Sequence, residues 1–156
     1  MKHRVLAFAT ACLILAWIAQ AAIQIQPAQK AQAPPSAWER MKTTIEGYLG
    51  RPYVWGATGI KSFDCSGFVW RVMSEGGYMI KRTTARRLFL CLPKAAEDAS
   101  WTPGNIVFFD DLKHCGIVND RDSFYHSQCS KGTNLSKFSP YWRPKIFGFR
   151  SLSSDK

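Results

Sequence analysis

The sequence predicts an α+β domain, and the order of its hydrophobic patterns is the reason. Between residues 36 and 90, apolar side chains recur at helical spacing in three stretches. From Trp101 onward the period shortens to strand-like runs broken by turn residues. Helices first and strands afterwards indicate helices packed on an antiparallel sheet rather than alternating βα units. A chain of 156 residues with 46% hydrophobic and 13% aromatic content is long enough for one real core, too short for two ordinary domains, and too apolar for disorder.

Residues 1–22 precede that domain and read as a signal peptide. Lys2, His3 and Arg4 form a charged start, Val5 to Ile18 an apolar run, and Ala19-Gln20-Ala21 a small-x-small cleavage signal. The apolar run of 14 residues is shorter than a span of roughly 20, so cleavage is expected; an uncleaved leader would instead anchor the chain in a membrane. Cys12 sits inside that run rather than after it, which argues against lipid attachment. Residues 23–35, rich in Gln, Ala and Pro, read as a linker, and the folded domain is expected over 36–152.

Ser36 and Glu39 form an S-x-x-E capping box that opens the first helix, and Gly50 closes it. Trp38, Met41, Ile45, Tyr48 and Leu49 line its apolar face. A second helix follows Ser62-Phe63-Asp64, carries Phe68, Val69, Val72 and Met73, and ends at Gly76-Gly77. A third, short one starts near Thr84 and runs through Leu90. The strand candidates are Ile106 to Phe109, His114 to Val118, Phe124 to Ser127 and Ile146 to Phe149.

Cys65 stands in the first turn of the second helix. Unpaired N–H groups and the positive end of the helix dipole favour an anion there, which eases loss of the thiol proton. A cysteine so placed is also often just a small buried hydrophobe. Two histidines shift that balance: His114 and His126 fall on adjacent strands of a hairpin, where they can share a face within hydrogen-bonding reach. A thiol, a base and a group that orients the base make up the set that thiol-based acyl transfer needs.

The blocks Arg51-Pro52-Tyr53-Val54-Trp55-Gly56, Phe63-Asp64-Cys65-Ser66-Gly67-Phe68-Val69, Lys81-Arg82-Thr83-Thr84, Thr102 to Phe109, His114-Cys115-Gly116-Ile117-Val118, His126 to Gly132 and Ser139 to Trp142 follow one another in a familiar order. Over about 38–150 the chain resembles the cell-wall cysteine peptidases of the NlpC/P60 family, most closely their small single-domain periplasmic members. The resemblance implies a papain-like fold, with the nucleophile's helix on a small antiparallel sheet. It implies Cys65 as nucleophile, His114 as general base and His126 as the third, orienting residue. Tyr53 takes the place of a Tyr beside the nucleophile. Asp64 and Ser66 flank the thiol where some relatives hold the substrate peptide, although Asp64 suits a helix N-cap equally well. The implied activity is a peptidoglycan endopeptidase, in the periplasm or secreted, acting as a monomer on murein stem peptides or crosslinks without a cofactor. A catalytically silent wall-binding or scaffolding module is the rival within this fold. Members of acyltransferase or lipase type usually carry the histidine block before the cysteine block, opposite to the order here.

Three positions depart from the family pattern: Ala57 for a second Gly, Asn105 for Asp, and Cys115 for an aliphatic residue. Ala57 is expected to restrict its loop at positive φ. Cys115 is expected to face away from His114 and pack in the core. Cys91, Cys115 and Cys129 leave an odd count once Cys65 stays reduced, so a bridge between two of them stays open as an alternative, with no pair assigned. Zinc is not expected, because adjacent strand residues His114 and Cys115 point to opposite faces and the spacing matches no common zinc pattern. The formal charge of +10 fits an anionic polymer or membrane surface; with basic residues scattered and no nucleic-acid motif, nucleic acid is not the expected partner.

Overall fold

The computed structural model describes residues 33–152; the expected signal peptide and most of the linker lie outside the described residues. Helix α1 (Ala37–Tyr48) starts at the capping box as expected: Ser36 Oγ accepts from Glu39 N at 3.2 Å and Ser36 N donates to Glu39 Oε2 at 2.6 Å. Met41 and Ile45 are fully buried, while Trp38 and Tyr48 pack at the margin of the core. Leu49, expected on the same face, is the C-cap beyond the last helical turn and is exposed.

Helix α2 (Cys65–Glu75) carries the deepest face. Phe68, Val69, Val72 and Met73 are all buried, each worth roughly 1.5–3 kcal/mol in apolar area removed from water. Gly76 caps it and Gly77, at φ 100°, turns the chain away. Helix α3 (Ala85–Cys91) is a short segment capped by Thr84, whose hydroxyl accepts from Arg87 N.

The strands β1 (Ile106–Phe109), β2 (His114–Val118), β3 (Ser123–Gln128), β4 (Gly132–Lys137) and β5 (Ile146–Arg150) form one antiparallel sheet in the order β4-β3-β2-β1-β5. Strand β4 was absent from the expected set. Its sequence, Gly-Thr-Asn-Leu-Ser-Lys, has no apolar alternation because it is an edge strand, held by six register pairs with β3. Its first residues are clamped to the turn before the loop that leads into Cys65: Thr133 N donates to Arg51 O and Gly50 N to Thr133 O, both at 2.8 Å.

Both faces of the sheet are covered, which explains why β1 reads as an unbroken apolar run. Ile106, Phe108, Cys115, Ile117 and Tyr125 meet the helices, whereas Val107, Phe109, Val118 and Phe124 meet Phe138, Trp101 and Trp142. Strand alternation therefore sends Cys115 to the helix side and His114 to the other. Gly67 lets α2 approach its preceding loop, since a Cβ there would lie 2.2 Å from the Ala57 carbonyl oxygen. Ala57 itself is not at positive φ, so the expected restriction at this position does not arise.

Candidate active site

Asp64 caps α2 by accepting from Gly67 N at 2.5 Å, and so fixes Cys65 as the first helical residue. The N–H of Gly67 and the N–H of Phe68 are both engaged by Asp64, while helix geometry leaves the N–H of Cys65 without an intrahelical acceptor. From the other side, Ser127 Oγ donates to Phe63 O at 3.0 Å, tying β3 to the loop that delivers Cys65. The sulfur lies 3.9 Å from the Lys113 carbonyl oxygen and is 8% exposed at the residue level.

The thiol of Cys65 is lowered to about 5. A hydrogen bond from Cys115 is the largest cause, and the hydrogen bond and charge of His114 add to it, against the opposing effects of burial and of the Asp64 carboxylate. Cys115 shifts the other way, well above an ordinary thiol, so it remains S–H and donates. Cys115 is in the core as expected, but the helix-facing side of β2 is also where Cys65 sits.

The histidines meet as the hairpin register predicted. His114 Nε2 lies 2.8 Å from His126 Nδ1. The His114 nitrogen left for the sulfur is Nδ1. His126 is completely buried and its pKa is lowered to about 3, first by desolvation and then by the positive charge of His114. It is therefore a neutral ring at ordinary pH. Trp142 stacks on His114 with centroids 5.5 Å apart and stands edge-on to His126 at 5.1 Å. The sequence alone assigns Trp142 no role beyond its place in the Ser139 to Trp142 block.

Gly116 makes room for this pair, because a Cβ there would come within 2.8 Å of the Phe124 ring and 3.2 Å of the His126 Cβ. Ahead of β2, Asp110, Asp111 and Leu112 take φ of 50°, 52° and 70°, three consecutive non-glycine residues in the left-handed region. Asp110 N donates to Lys145 O at 3.0 Å, Lys113 N to Asp110 O at 3.1 Å, and Arg86 Nη2 to Asp111 O at 3.3 Å. This turn aims the Lys113 carbonyl at the sulfur and starts β2 at His114. The apolar run before it and the strand after it are visible in sequence; the handedness of the turn is not.

Of the remaining expected site residues, Tyr53 lines the cleft over Cys65 together with Asp110, Lys113, His114, Gln128, Cys129 and Trp142. Its hydroxyl is raised to about 12, by burial first and by the negative charge of Cys65 second, with Cys129 acting in the same direction. Asp64 and Ser66 are buried and do not line that cleft. The Asp64 carboxylate accepts from Gly56 N, Ser66 Oγ, Gly67 N and both Arg82 Nη2 contacts, the latter at 2.8 and 3.0 Å. Arg82 also donates to Ser66 Oγ at 3.0 Å. Cys65, Cys91, Cys115 and Cys129 are all free thiols. The cleft holds about 430 Å³. A larger hollow of about 710 Å³ lies between α1 and the 93–105 segment, and no thiol or imidazole lines it.

The sequence model of the NlpC/P60 family matches residues 50–151. Among curated relatives, a probable peptidoglycan endopeptidase of Bacillus subtilis, LytE, is 32% identical over 114 residues, which is 70% of this chain and 33% of LytE. Among solved structures, a lipoprotein-like NLP/P60 protein of Staphylococcus aureus superposes with a TM-score of 0.67 at 22% identity, over 82% of this chain and 45% of that one. RipD of Mycobacterium tuberculosis, described as a non-catalytic NlpC/p60 domain protein adapted to peptidoglycan binding, gives a TM-score of 0.63 at 12% identity, over 77% of this chain and 100% of its own. The chain thus spans a third of LytE and under half of the staphylococcal protein. With the family pattern running from Gly50 to Ser151, across every element that builds the cleft, the chain belongs to the NlpC/P60 family.

Proposed function

We propose that this protein is a peptidoglycan hydrolase of the cysteine endopeptidase type, cutting amide bonds in murein stem peptides or their crosslinks. The observation that carries the reading is the alignment of a thiol of depressed pKa, an imidazole beside it and a second, neutral imidazole 2.8 Å behind, all under an open cleft.

The thiolate of Cys65 attacks the scissile carbonyl carbon, and the carbonyl π electrons move to its oxygen. The oxyanion that forms is met by the backbone N–H of Cys65, free of an intrahelical acceptor and at the positive end of α2. His114 gives its proton to the departing amine, the C–N bond breaks, and an acyl-thioester remains on Cys65. Water then attacks the thioester, with His114 taking its proton, and the released sulfur returns as thiolate. His126 keeps His114 aligned through both halves by accepting from Nε2. Tyr53, at the rim, contacts the bound peptide. Residues 36–152 form the catalytic domain, and a cleaved leader delivers it to the periplasm or the exterior, where the wall is. Fractionation of cells that express the full chain tests the delivery.

Replacing Cys65 by Ala is expected to abolish hydrolysis of purified sacculi while circular dichroism stays native. Mass spectrometry of fragments from defined muropeptides then identifies the bond, γ-D-Glu–diaminopimelate within a stem or D-Ala–diaminopimelate at a crosslink. Hydrolysis retained by that variant refutes the assignment. No enhanced reactivity of Cys65 toward iodoacetamide near neutral pH favours the silent wall-binding module instead.

A further inference from the structure

We propose that Ser136 and Asn134 are positioning residues, a polar arm on β4 that fixes the protons of both imidazoles. The inference rests on the hydrolase reading above. His126 lies opposite Asn134 in the β3–β4 register, and Phe124 opposite Ser136, so the even-numbered residues of both strands share the face that carries His114.

Four hydrogen bonds run in series and only one set of proton positions satisfies them. Asn134 Nδ2 donates to the Gly132 carbonyl at 2.8 Å, which turns its amide oxygen toward Ser136. That oxygen can only accept, so Ser136 Oγ gives it the hydroxyl proton across 2.9 Å. Gln128 Nε2 also donates to it at 3.3 Å, which further anchors the amide. Ser136 Oγ must then accept from His126 Nε2, 2.9 Å away. His126 with its proton on Nε2 has a bare Nδ1, which accepts from His114 Nε2 at 2.8 Å. His114 is left with Nδ1 facing the sulfur, able to hold a proton there while Nε2 stays donated. The arm thus selects the arrangement in which His114 can be a full imidazolium beside a thiolate.

Without the Ser136 hydroxyl, the His126 Nε2 proton keeps only the more distant amide of Asn134 on that side, and moves more easily to Nδ1. It would then point at the Nε2 proton of His114, two donors facing each other, and the imidazolium would lose its partner. The charged groups that bear on His126 are His114 and Lys131, both positive; its other close neighbours, Phe124 and Trp142, carry no charge. No carboxylate is among them to take over the task.

The full-length protein and its Ser136→Ala, Ser136→Thr and Asn134→Ala variants should be compared by the pH dependence of iodoacetamide alkylation at Cys65, read by peptide mass spectrometry, and by sacculus hydrolysis. Ser136→Ala is expected to move the alkylation profile to higher pH by about one unit, so that reaction at pH 5 slows about five- to tenfold. Its kcat should fall with KM unchanged. Asn134→Ala should shift the profile the same way but less, and Ser136→Thr, which keeps a hydroxyl on a β-branched residue suited to a strand, should restore both readouts. Coincident alkylation profiles for wild type and Ser136→Ala, at equal melting temperature, overturn the proposal. A threonine variant that melts like wild type but reacts like the alanine variant overturns it too. Alkylation needs no substrate. A shifted profile in a protein that never cleaves sacculi therefore upholds the arm and fails only the hydrolase reading.

Discussion

Cys115, buried on β2, is the largest influence holding the pKa of Cys65 down across the interface between β2 and α2. Two sulfurs in one core give unequal results because only one of them lies beside an imidazole. Cys65 gains the negative charge, and Cys115, fully buried, keeps its proton and stabilises that charge. Position 115 thus becomes part of the environment of Cys65.

Cys115→Val is expected to raise the pKa of Cys65, because the thiolate loses its largest stabilising contact. A hydrogen bond to a charged group is worth about 1.5–3 kcal/mol, so the acid limb of alkylation should move up by about one to two pH units from its wild-type position near 5. The measurement is the rate of iodoacetamide labelling of Cys65 against pH, read by mass so that exposed Cys91 and Cys129 do not interfere. An unchanged acid limb would show that Cys115 is only packing.

His114→Ala and His126→Ala should differ in degree. The first removes the imidazole proposed as proton carrier and is expected to lower kcat by about a thousandfold. The second leaves His114 in place without its acceptor, so a smaller loss follows, together with a downward shift in melting temperature from the cavity beside Phe124 and Trp142. Equal losses in kcat on sacculi, or a reversed order, would contradict the division of roles.

Much of this site was legible in the sequence, and the reasons are physical. Cys65 follows a capping residue and precedes an amphipathic period, so its place at a helix start can be read directly. The hairpin between His114 and His126 is short enough for register to follow from loop length. What stayed hidden has no local signature. Strand β4 is polar because it is an edge, and Asn134 and Ser136 went unseen with it. Cys115 was placed correctly in the core, but alternation along one strand says nothing of which helix residue meets it. Trp142 acquires its stacking partner only when the 138–142 segment folds over the sheet.

Asp64 can be tested apart from its cap. Asn caps helices as well as Asp, so Asp64→Asn keeps the N-cap and removes the charge opposite Arg82. The pair is mostly buried and doubly hydrogen-bonded, so a loss of about 2 kcal/mol in urea unfolding is expected after allowing for partial exposure of Arg82. KM on sacculi should stay unchanged in the folded protein. A raised KM at native stability would support a substrate-binding role for Asp64 beside its capping one.

The left-handed turn before β2 offers a test in which stability and activity separate. Leu112 is buried, and the side chain of Asp110 pairs with Lys145 at 3.7 Å, so substitution at either would remove contacts along with strain. Asp111 is different: it is exposed, its φ is 52°, and its carbonyl, not its side chain, receives Arg86. Asp111→Gly therefore relieves the conformational cost and leaves every named contact in place. It is expected to be neutral or to stabilise by up to about 1 kcal/mol, the glycine's extra freedom in the unfolded chain offsetting part of the gain. Asp111→Val forces a β-branched residue into the same region and should lose about 1–2 kcal/mol. If the turn also sets the aim of the Lys113 carbonyl and His114, Asp111→Val should lower kcat in the folded fraction while Asp111→Gly does not. Urea midpoints and sacculus hydrolysis on the same preparations read both, and a valine variant as stable as wild type would remove the strain from this account.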